Sequence, residues 1–249
     1  MVRYIMNGDL LIIGFIVLFA FTTQIISGFG SIIIGLTLGS FIYPIEELLP
    51  ILVLLTISSN IYILVKHRSY VDWTLLLKRI IPSMGVGLII GIFIFNFFET
   101  AMLKKLYGIF VLFFSIRELF LLIGKRNTEK TIGHYQSYGW FFAAGIIHGI
   151  YASGGPLVVY PVSRIIQNKS TFRSTLVALW LCFNVVLVLS YAYTNRFTPS
   201  VITRFFLLFP LMILSIVLGE WLHNYVNEYK FRIIIFILLL FAGLLITVQ

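Results

Sequence analysis

The sequence predicts an all-α, polytopic membrane protein of about eight transmembrane segments, and three observations support that class. Hydrophobic residues make up 60% of the chain and charged residues only 11%, whereas soluble domains are about 25% charged. The mean hydropathy is +1.03. The apolar residues fall in long runs, and a spanning helix needs about 20 of them. The 249 residues therefore suffice for about eight passes.

The first segment covers residues 10–42 and is too long for one crossing. As a single helix it would measure about 50 Å, against a hydrocarbon core of about 30 Å. Ser27, Gly28 and Gly30 lie near its middle, and glycine weakens a helix because it loses the most conformational freedom on folding. We therefore predict two shorter pieces that meet at a break.

Three further segments complete the first half of the chain. They cover residues 48–65, 75–98 and 101–124, and polar or charged loops separate them. The middle one contains small residues at spacings that let helix backbones approach closely. These are Gly85, Gly87 and Gly91.

A polar stretch at residues 125–136 is the clearest linker in the chain. It divides the sequence into residues 1–124 and 137–249, which we predict to be two four-element repeats of one integrated membrane domain. The second half then contains four segments, at residues 138–166, 176–193, 199–223 and 229–248.

The fifth segment contains the strongest break, within AAGIIHGIYASGGPLVVYP at residues 143–161. Gly154 and Gly155 weaken the helix, and Pro156 lacks a backbone donor and clashes with the preceding turn. Backbone groups freed at membrane depth are tolerated only where protein or a water-filled cavity satisfies them. Two interrupted helices at matching positions of two halves point to the substrate site of a transporter.

Landmark residues recur at similar offsets in the two halves. Asn60 and Asn184 are 124 positions apart, and Ser27-Gly28 and Ser153-Gly154 are 126 apart. Three further pairs are 128 apart: Pro82 with Pro210, Gly91 with Gly219, and Lys104 with Arg232. These offsets predict a duplicated four-element unit.

The distribution of basic residues predicts that the two repeats are inverted. If all eight segments cross once, Lys and Arg divide 11 to 7 between the two sides. If each broken segment is re-entrant, and so enters and leaves on one side, they divide 13 to 5. Basic residues concentrate on the cytoplasmic side, so the stronger bias favours inverted repeats. The cytoplasmic loops are then those at Lys66, Lys125 and Lys230 and the basic loop of Arg164, Lys169 and Arg173.

The charge pattern excludes several classes of function. The net charge of +9 does not indicate a nucleic-acid partner, because the basic residues lie between apolar runs as the positive-inside rule expects. The nine acidic residues are scattered, without a paired-carboxylate or metal-ligand cluster. We therefore expect no metal and no cofactor in this multi-pass membrane protein.

At its two broken segments the chain resembles the sulfite exporter TauE/SafE family of membrane permeases. The resemblance is carried by SGFGSIIIG at residues 27–35 and GIYASGGPLVVYP at residues 149–161, together with the length and the four-plus-four layout. The first motif departs from the family's run of consecutive glycines and lacks the following proline. The resemblance implies a secondary transporter of the cytoplasmic membrane that moves a small sulfur-containing anion, such as sulfite, thiosulfate or an organosulfonate, by alternating access.

An anion also suits the broken helices on physical grounds. A half-helix that starts at membrane depth presents unpaired N–H groups and a positive dipole end. Serine and asparagine side chains can add neutral donors, so that no buried cation is required. The predicted substrate-binding residues are Ser27, Gly28, Gly30, Ser31, Asn60, Ser153, Gly154, Gly155, Pro156 and Asn184.

Three alternatives stay open at the level of sequence. His148 could titrate near neutral pH and couple proton movement, or it could be a neutral histidine bonded to a neighbouring helix. An anion channel of the same fold would have the same pattern. An intramembrane hydrolase could use Ser153 as its nucleophile, although His148 lies on the same helix. A homodimer is a further expectation, because faces rich in small residues are abundant.

Overall fold

A computed structural model describes residues 7–124, 133–223, 225 and 228–248. Every regular element among these residues is helical. In chain order the helices are α1 (Asn7–Ser27), α2 (Ser31–Gly39), α3 (Ile45–His67), α4 (Trp73–Leu75), α5 (Ile81–Phe97), α6 (Thr100–Ile123), α7 (His134–Tyr151), α8 (Gly155–Ile165), α9 (Lys169–Tyr193), α10 (Pro199–His223) and α11 (Glu228–Val248). A 3-10 turn follows α3, and a π-helical turn joins α4 to α5. The polar linker falls mostly at residues 125–132, which lie outside the described residues.

Six of the described helical segments are long and apolar enough to cross a membrane, and they identify a multi-pass membrane protein. They are Gly8–Ser27, Ile45–Tyr70, Trp73–Phe97, Ala101–Ile123, Lys169–Tyr193 and Pro199–Leu222. A shorter apolar helix covers Ile233–Val248. The all-helical membrane class is therefore confirmed. By length and apolarity the described residues supply six spans where the sequence predicted about eight crossings.

The first predicted segment is broken, as its excess length required. Helix α1 ends at Ser27 and α2 begins at Ser31, and Gly28 and Gly30 between them have φ of 83° and 109°. L-residues with a Cβ rarely adopt such left-handed values, whereas glycine does so at no steric cost. The two glycines therefore make the sharp change of direction that ends α1.

Helix α2 folds back along α1 rather than continuing it. A Cβ added at Gly39, the last residue of α2, would lie 3.1 Å from the side chains of both Ile13 and Leu48. Ile13 is near the start of α1, so the end of α2 returns towards the side from which α1 entered. Eight of the nine residues of α2 are buried, which keeps this short helix inside the protein.

The second predicted break is also present, between α7 and α8. Helix α7 ends at Tyr151, and Ala152 caps it in the left-handed conformation with φ 51°. Helix α8 begins at Gly155 with Pro156 in its first turn. Proline is tolerated there because the N–H that it lacks would have no partner within the helix.

Two of the three glycines predicted for close helix packing, Gly87 and Gly91, hold α5 against α7. A Cβ at Gly87 would overlap the carbonyl oxygen of Phe142, and one at Gly91 would overlap that of Ile146. Because later residues of α5 meet later residues of α7, the two helices run in the same direction. The backbones touch here, as small residues allow in membranes.

Helix α10 runs in the same direction as α3. Near the helix starts, Arg204 pairs with Glu47. Near the helix ends, the Lys66 Nζ lies 2.7 Å from a carboxylate oxygen of Glu220. Helix α1 is parallel to both, since Gly14 packs on Leu211 and Ile25 packs on Gly219 further along.

The start of α9 differs from the sequence prediction. The apolar run begins at Leu176, and the basic residues before it were predicted to be a loop. The helix instead begins at Lys169, because the Asn168 side chain caps it by accepting the Thr171 N–H at 3.0 Å. Arg173 is therefore a helical residue, two turns before Trp180.

Candidate functional site

The two helix breaks meet in the interior and together line one partly open cavity. A Cβ at Gly155 in the second break would lie 3.6 Å from the Phe29 ring in the first. The Trp180 indole of α9 crosses beside them and donates to the Gly28 carbonyl oxygen at 3.2 Å. The cavity is thus bounded by both breaks and by α9.

Seven of the residues singled out from the sequence line this cavity. They are Gly30, Ser31, His148, Ser153, Gly155, Pro156 and Asn184. The remaining lining residues were not predicted: Gln24, Phe29, Ile32, Ile33, Thr56, Ala152 and Trp180. The wall is therefore mixed, with amide, hydroxyl and imidazole groups set among apolar side chains.

The start of α2 supplies backbone donors to the cavity. The Ile34 N–H is the first that finds an acceptor within the helix, at the Gly30 carbonyl oxygen 3.0 Å away. The N–H groups of Ser31, Ile32 and Ile33 precede it and have no acceptor within the helix. All three residues line the cavity, so the positive end of α2 faces it.

The start of α8 is poorer in donors. The N–H groups of Leu157 and Val158 both reach the Gly154 carbonyl oxygen, each at 3.2 Å. Pro156 has no N–H, so Gly155 is the residue in the first turn of α8 that can offer one. The dipole of α8 still points its positive end at the cavity.

His148 and Asn184 form a buried polar pair on the cavity wall. The His148 Nε2 lies 3.2 Å from the Asn184 Oδ1, and the imidazole stacks on Trp180 with ring centroids 5.4 Å apart. Both side chains are 1% exposed or less. His148 Nδ1 and Asn184 Nδ2 have no hydrogen-bond partner among the described residues. His148 Nδ1 and Asn184 Nδ2 could therefore bond to a ligand or water in the cavity.

Gln24 and Asn60 form a matching pair in the first half. The Gln24 Nε2 donates to the Asn60 Oδ1 at 2.8 Å, and the two residues are 36 positions apart, as His148 and Asn184 are. Each member of one pair is 124 positions from its counterpart. The Asn60 Nδ2 has no partner within the described part of the chain.

Gln24 also connects the two helix ends of the first break. Its Oε1 accepts a hydrogen bond from the Ser31 hydroxyl, and the Ser31 Oγ lies 3.3 Å from the Thr56 Oγ1. The hydroxyl of Ser31 is thus held at the first turn of α2. Gln24 and Thr56 carried no signal in the sequence, since single polar residues in apolar runs are common in membrane bundles.

Four predicted site residues lie behind the cavity wall. The Ser27 hydroxyl remains with the backbone of the break, 2.7 Å from the Phe29 carbonyl oxygen and 2.8 Å from that of Thr23. Both backbone groups of Gly28 are also satisfied, by Gln24 and Trp180.

The other two are Asn60, which supports Gln24 from behind, and Gly154, the N-cap residue of α8. Gly154 packs so closely on α7 that a Cβ there would lie 2.5 Å from the Ala144 carbonyl oxygen. The predicted pairing of Ser27-Gly28 with Ser153-Gly154 is therefore corrected. The N-cap glycines Gly30 and Gly154 correspond instead, at the same offset of 124 as the asparagines.

The Ser153 hydroxyl is bonded to the backbone of the second break. It donates to the Tyr151 carbonyl oxygen at 2.9 Å, whereas the Nε2 of the nearby His148 faces Asn184. A serine nucleophile needs a base within hydrogen-bond reach of its oxygen. Among the described residues no group of three or more His, Cys, Asp or Glu side chains could hold a metal ion.

A second, mostly apolar cavity lies on the other side of the first break. Helix α11 contributes Ile235, Phe236 and Leu239 to its wall, and Phe29 and Pro156 separate it from the first cavity. The break at residues 28–30 thus has polar surroundings on one side and apolar surroundings on the other.

Comparison with known proteins places the whole arrangement in context. The model of the family described as sulfite exporter TauE/SafE matches residues 11–246. A protein of Cupriavidus necator named probable sulfite/organosulfonate exporter TauE is 21% identical over 206 residues, which cover 79% of this chain and 77% of that protein. No solved structure matches the chain.

Proposed function

The chain belongs to the sulfite exporter TauE/SafE family, and from this premise we propose that it exports sulfite or a small organosulfonate across the cytoplasmic membrane. The substrate class rests on the family and on the name of the C. necator relative. The mode of binding rests on the geometry of the central cavity.

The observation that carries the proposal is the convergence of two helix N-termini on one cavity. Helix N-termini bind anions because their amide groups and dipoles are already oriented before the ligand arrives. The Ser31 end of α2 and the Gly155 end of α8 both line the cavity, with the Asn184 amide beside them. A trigonal or tetrahedral oxyanion has several acceptor oxygens and can take these donors together.

Neutral donors also suit a transport site. A full positive charge in the centre would bind an anion strongly in a medium of low dielectric constant. Dipoles and amides bind less strongly, and a transported substrate must leave as well as enter. No Lys or Arg lines the central cavity among the described residues.

The helix directions support two inverted repeats, at residues 1–124 and 137–249. Helix α5 is parallel to α7, and α1 is parallel to α10. A twofold axis in the membrane plane would exchange α1 with α7 and α10 with α5, and so would relate these two contacts. The end of α3 meets the start of α9, where the Asp72 N–H donates to the Thr175 Oγ1 at 2.9 Å. The counterparts α3 and α9 therefore run in opposite directions.

The charges support an orientation with the end of α3 in the cytoplasm. With α1 and α2 as one re-entrant pair and α7 and α8 as another, the basic residues divide 13 to 5. The minority side holds Arg3, Lys104, Lys105, Arg196 and Arg204. The positive-inside rule assigns the majority side to the cytoplasm.

Alternating access would move the broken pairs against the rest of the bundle. Each short helix, α2 or α8, joins its long partner through residues 28–30 or 152–154, where the helix is interrupted. Such joints absorb a rotation without breaking helical hydrogen bonds. Rocking of the two pairs would open the cavity first to one side and then to the other.

Flux measurements in proteoliposomes test this function. We expect saturable uptake of sulfite or a small organosulfonate such as taurine, and accumulation when a proton gradient is imposed. Flux that does not saturate and does not accumulate would indicate an anion channel instead. Complete absence of flux for sulfite, thiosulfate and organosulfonates, with no ligand-induced rise in melting temperature, would contradict the proposal.

A further inference from the structure

Arg173 carries a guanidinium group that no residue of the described chain neutralises by hydrogen bonding. Its Nε and Nη2 are buried and have no hydrogen-bond partner among those residues. Arg173 lies on α9, within the candidate span Lys169–Tyr193. Arg173 as a whole is partly exposed. A partly buried charge without a counterion is still costly, and ionisable groups within membrane segments are mostly functional. The group therefore calls for a ligand.

The carboxylate that acts electrostatically on Arg173 is already paired with a lysine. Glu220 influences Arg173 electrostatically, but both of its carboxylate oxygens bind the Lys66 Nζ, at 2.7 and 2.8 Å. His67 is a further titratable neighbour that Arg173 influences, and Lys66 acts on it in the same sense. The surroundings of Arg173 thus hold one lysine, one imidazole and one carboxylate that already binds the lysine.

Arg173 packs directly against the first break. A Cβ at Gly28 would lie 3.2 Å from the Arg173 Cγ and 3.3 Å from its Cα. The Gly28 carbonyl oxygen in turn accepts the Trp180 indole N–H. Only a glycine at this position, with its φ of 83°, allows α9 to approach the break so closely.

One face of α9 leads from Arg173 to the central cavity. Trp180 is seven residues further along and Asn184 is four beyond that, spacings that share one side of a helix. Both side chains line the cavity. At about 1.5 Å per residue, Trp180 is about 10 Å from Arg173 along the axis. Arg173 therefore lies on the cavity-facing side of α9, between the cavity and the end of α9 that the charges assign to the cytoplasm.

We propose that Arg173 is a second anion-binding position, where an oxyanion docks on the cytoplasmic side before it moves to the central cavity. This inference rests on the proposed function. The planar guanidinium can donate from Nε and Nη2 in parallel to two oxygens of one sulfite or sulfonate group. Trp180 lies between the two positions. Once the anion has moved past it, the donors of the two breaks bind the anion in place of the arginine.

The test compares Arg173→Gln and Arg173→Lys with Lys169→Gln, which removes a positive charge from the same end of α9. Sulfite and taurine flux is measured with substrate offered to the cytoplasmic face, in inverted membrane vesicles, and to the opposite face, in right-side-out vesicles. Melting temperatures of the purified proteins are measured in parallel.

We expect Arg173→Gln to raise KM at the cytoplasmic face by about ten- to a hundredfold, the effect of one or two lost charged hydrogen bonds. KM at the opposite face should change much less, and Lys169→Gln should behave as the wild type. The melting temperature of Arg173→Gln should be unchanged or higher, since an unpaired charge has been removed. Arg173→Lys, which keeps the charge but not the planar fork, should lie between them.

Two results would overturn the inference while the wild type still transports. One is an unchanged cytoplasmic KM in Arg173→Gln. The other is a large fall in melting temperature for both arginine variants but not for Lys169→Gln, which would assign Arg173 a purely structural role. A wild type that moves no anion would instead remove the proposed function, and with it the inference.

Discussion

The Asn184 Oδ1 lies 3.2 Å from the His148 Nε2, and the same relation joins Asn60 to Gln24 in the other half, at 2.8 Å. In both pairs the asparagine oxygen faces the partner, and the asparagine Nδ2 has no partner among the described residues. The two pairs differ in one respect. The first half has an amide where the second has an imidazole, so only the second pair can change its charge.

Replacement of Asn184 by alanine should weaken anion binding. The side chain offers one free donor to the cavity, so the expected loss is about 0.5–2 kcal/mol, or roughly two- to thirtyfold in Kd. The dependence of melting temperature on sulfite concentration measures it. Asn96→Ala is the control, because the exposed Asn96 side chain near the end of α5 bonds Arg196 and the Ile92 carbonyl oxygen and lies outside the cavity wall. Equal Kd values for wild type and Asn184→Ala would remove Asn184 from the site.

Replacement of His148 by glutamine should uncouple transport from the proton gradient. Glutamine occupies the equivalent position in the first half and bonds its asparagine there, so the pair should persist without a titratable group. We expect substrate-gradient-driven flux to continue while accumulation driven by an imposed pH gradient disappears. If His148→Gln still accumulates substrate with the pH gradient, His148 is only a structural neighbour of Asn184.

Replacement of Gly154 by leucine should abolish transport. A Cβ at this position would lie 2.5 Å from the Ala144 carbonyl oxygen and 3.0 Å from the His148 Cβ, so α8 must shift away from α7 and the cavity must change shape. Gly139→Leu is the matched control on α7, where nothing lies within 4 Å of the added atom. Transport at the wild-type rate by Gly154→Leu would show that the second break is a mere kink.

Replacement of Gly87 by alanine should destabilise the protein, whereas Gly85→Ala should not. The added methyl group at Gly87 overlaps the backbone of α7, but at Gly85 its nearest neighbour is a Phe183 ring carbon at an ordinary 3.9 Å. Overpacking costs about 1–3 kcal/mol, and backbone cannot rotate aside as a side chain can. Melting temperatures in detergent compare the variants. Similar melting temperatures for Gly87→Ala and Gly85→Ala would show that the backbones of α5 and α7 are not in direct contact at Gly87.

Cysteine labelling should show that Lys66 and Arg196 lie on opposite sides of the membrane. The native Cys182 is first replaced by serine, and cysteines are then introduced at Lys66 and at Arg196. We expect a membrane-impermeant maleimide to label Lys66→Cys in inverted vesicles and Arg196→Cys in right-side-out vesicles, as inverted repeats with re-entrant breaks require. Labelling of both from one side would contradict that topology.

Much of the fold could be predicted from composition and local chemistry. Apolar runs define membrane helices because backbone polar groups in lipid must be satisfied within the helix. The break at Gly28 and Gly30 followed from excess length and glycine conformation, and the one before Pro156 from the missing donor of proline. Both breaks are confirmed.

The ends of helices are less predictable from the sequence where the terminal turns of a helix consist of polar residues. The segment of α9 before Leu176 contains Lys169, Arg173 and Ser174, so the apolar pattern starts late. The cap at Asn168 extends the helix to them nevertheless. Arg173 was therefore assigned to a loop, and its contact with Gly28 could not be foreseen.

The sequence by itself determined the membrane class and the two interruptions, because both follow from local backbone and solvation energetics. The tertiary structure alone decided which polar groups meet. Gln24, Thr56 and Trp180 join the cavity, and Ser27 stays with its own backbone, because helix packing chooses one partner among many similar polar side chains. The return of α2 along α1 brings both breaks to one place, and that is a property of contacts between distant residues.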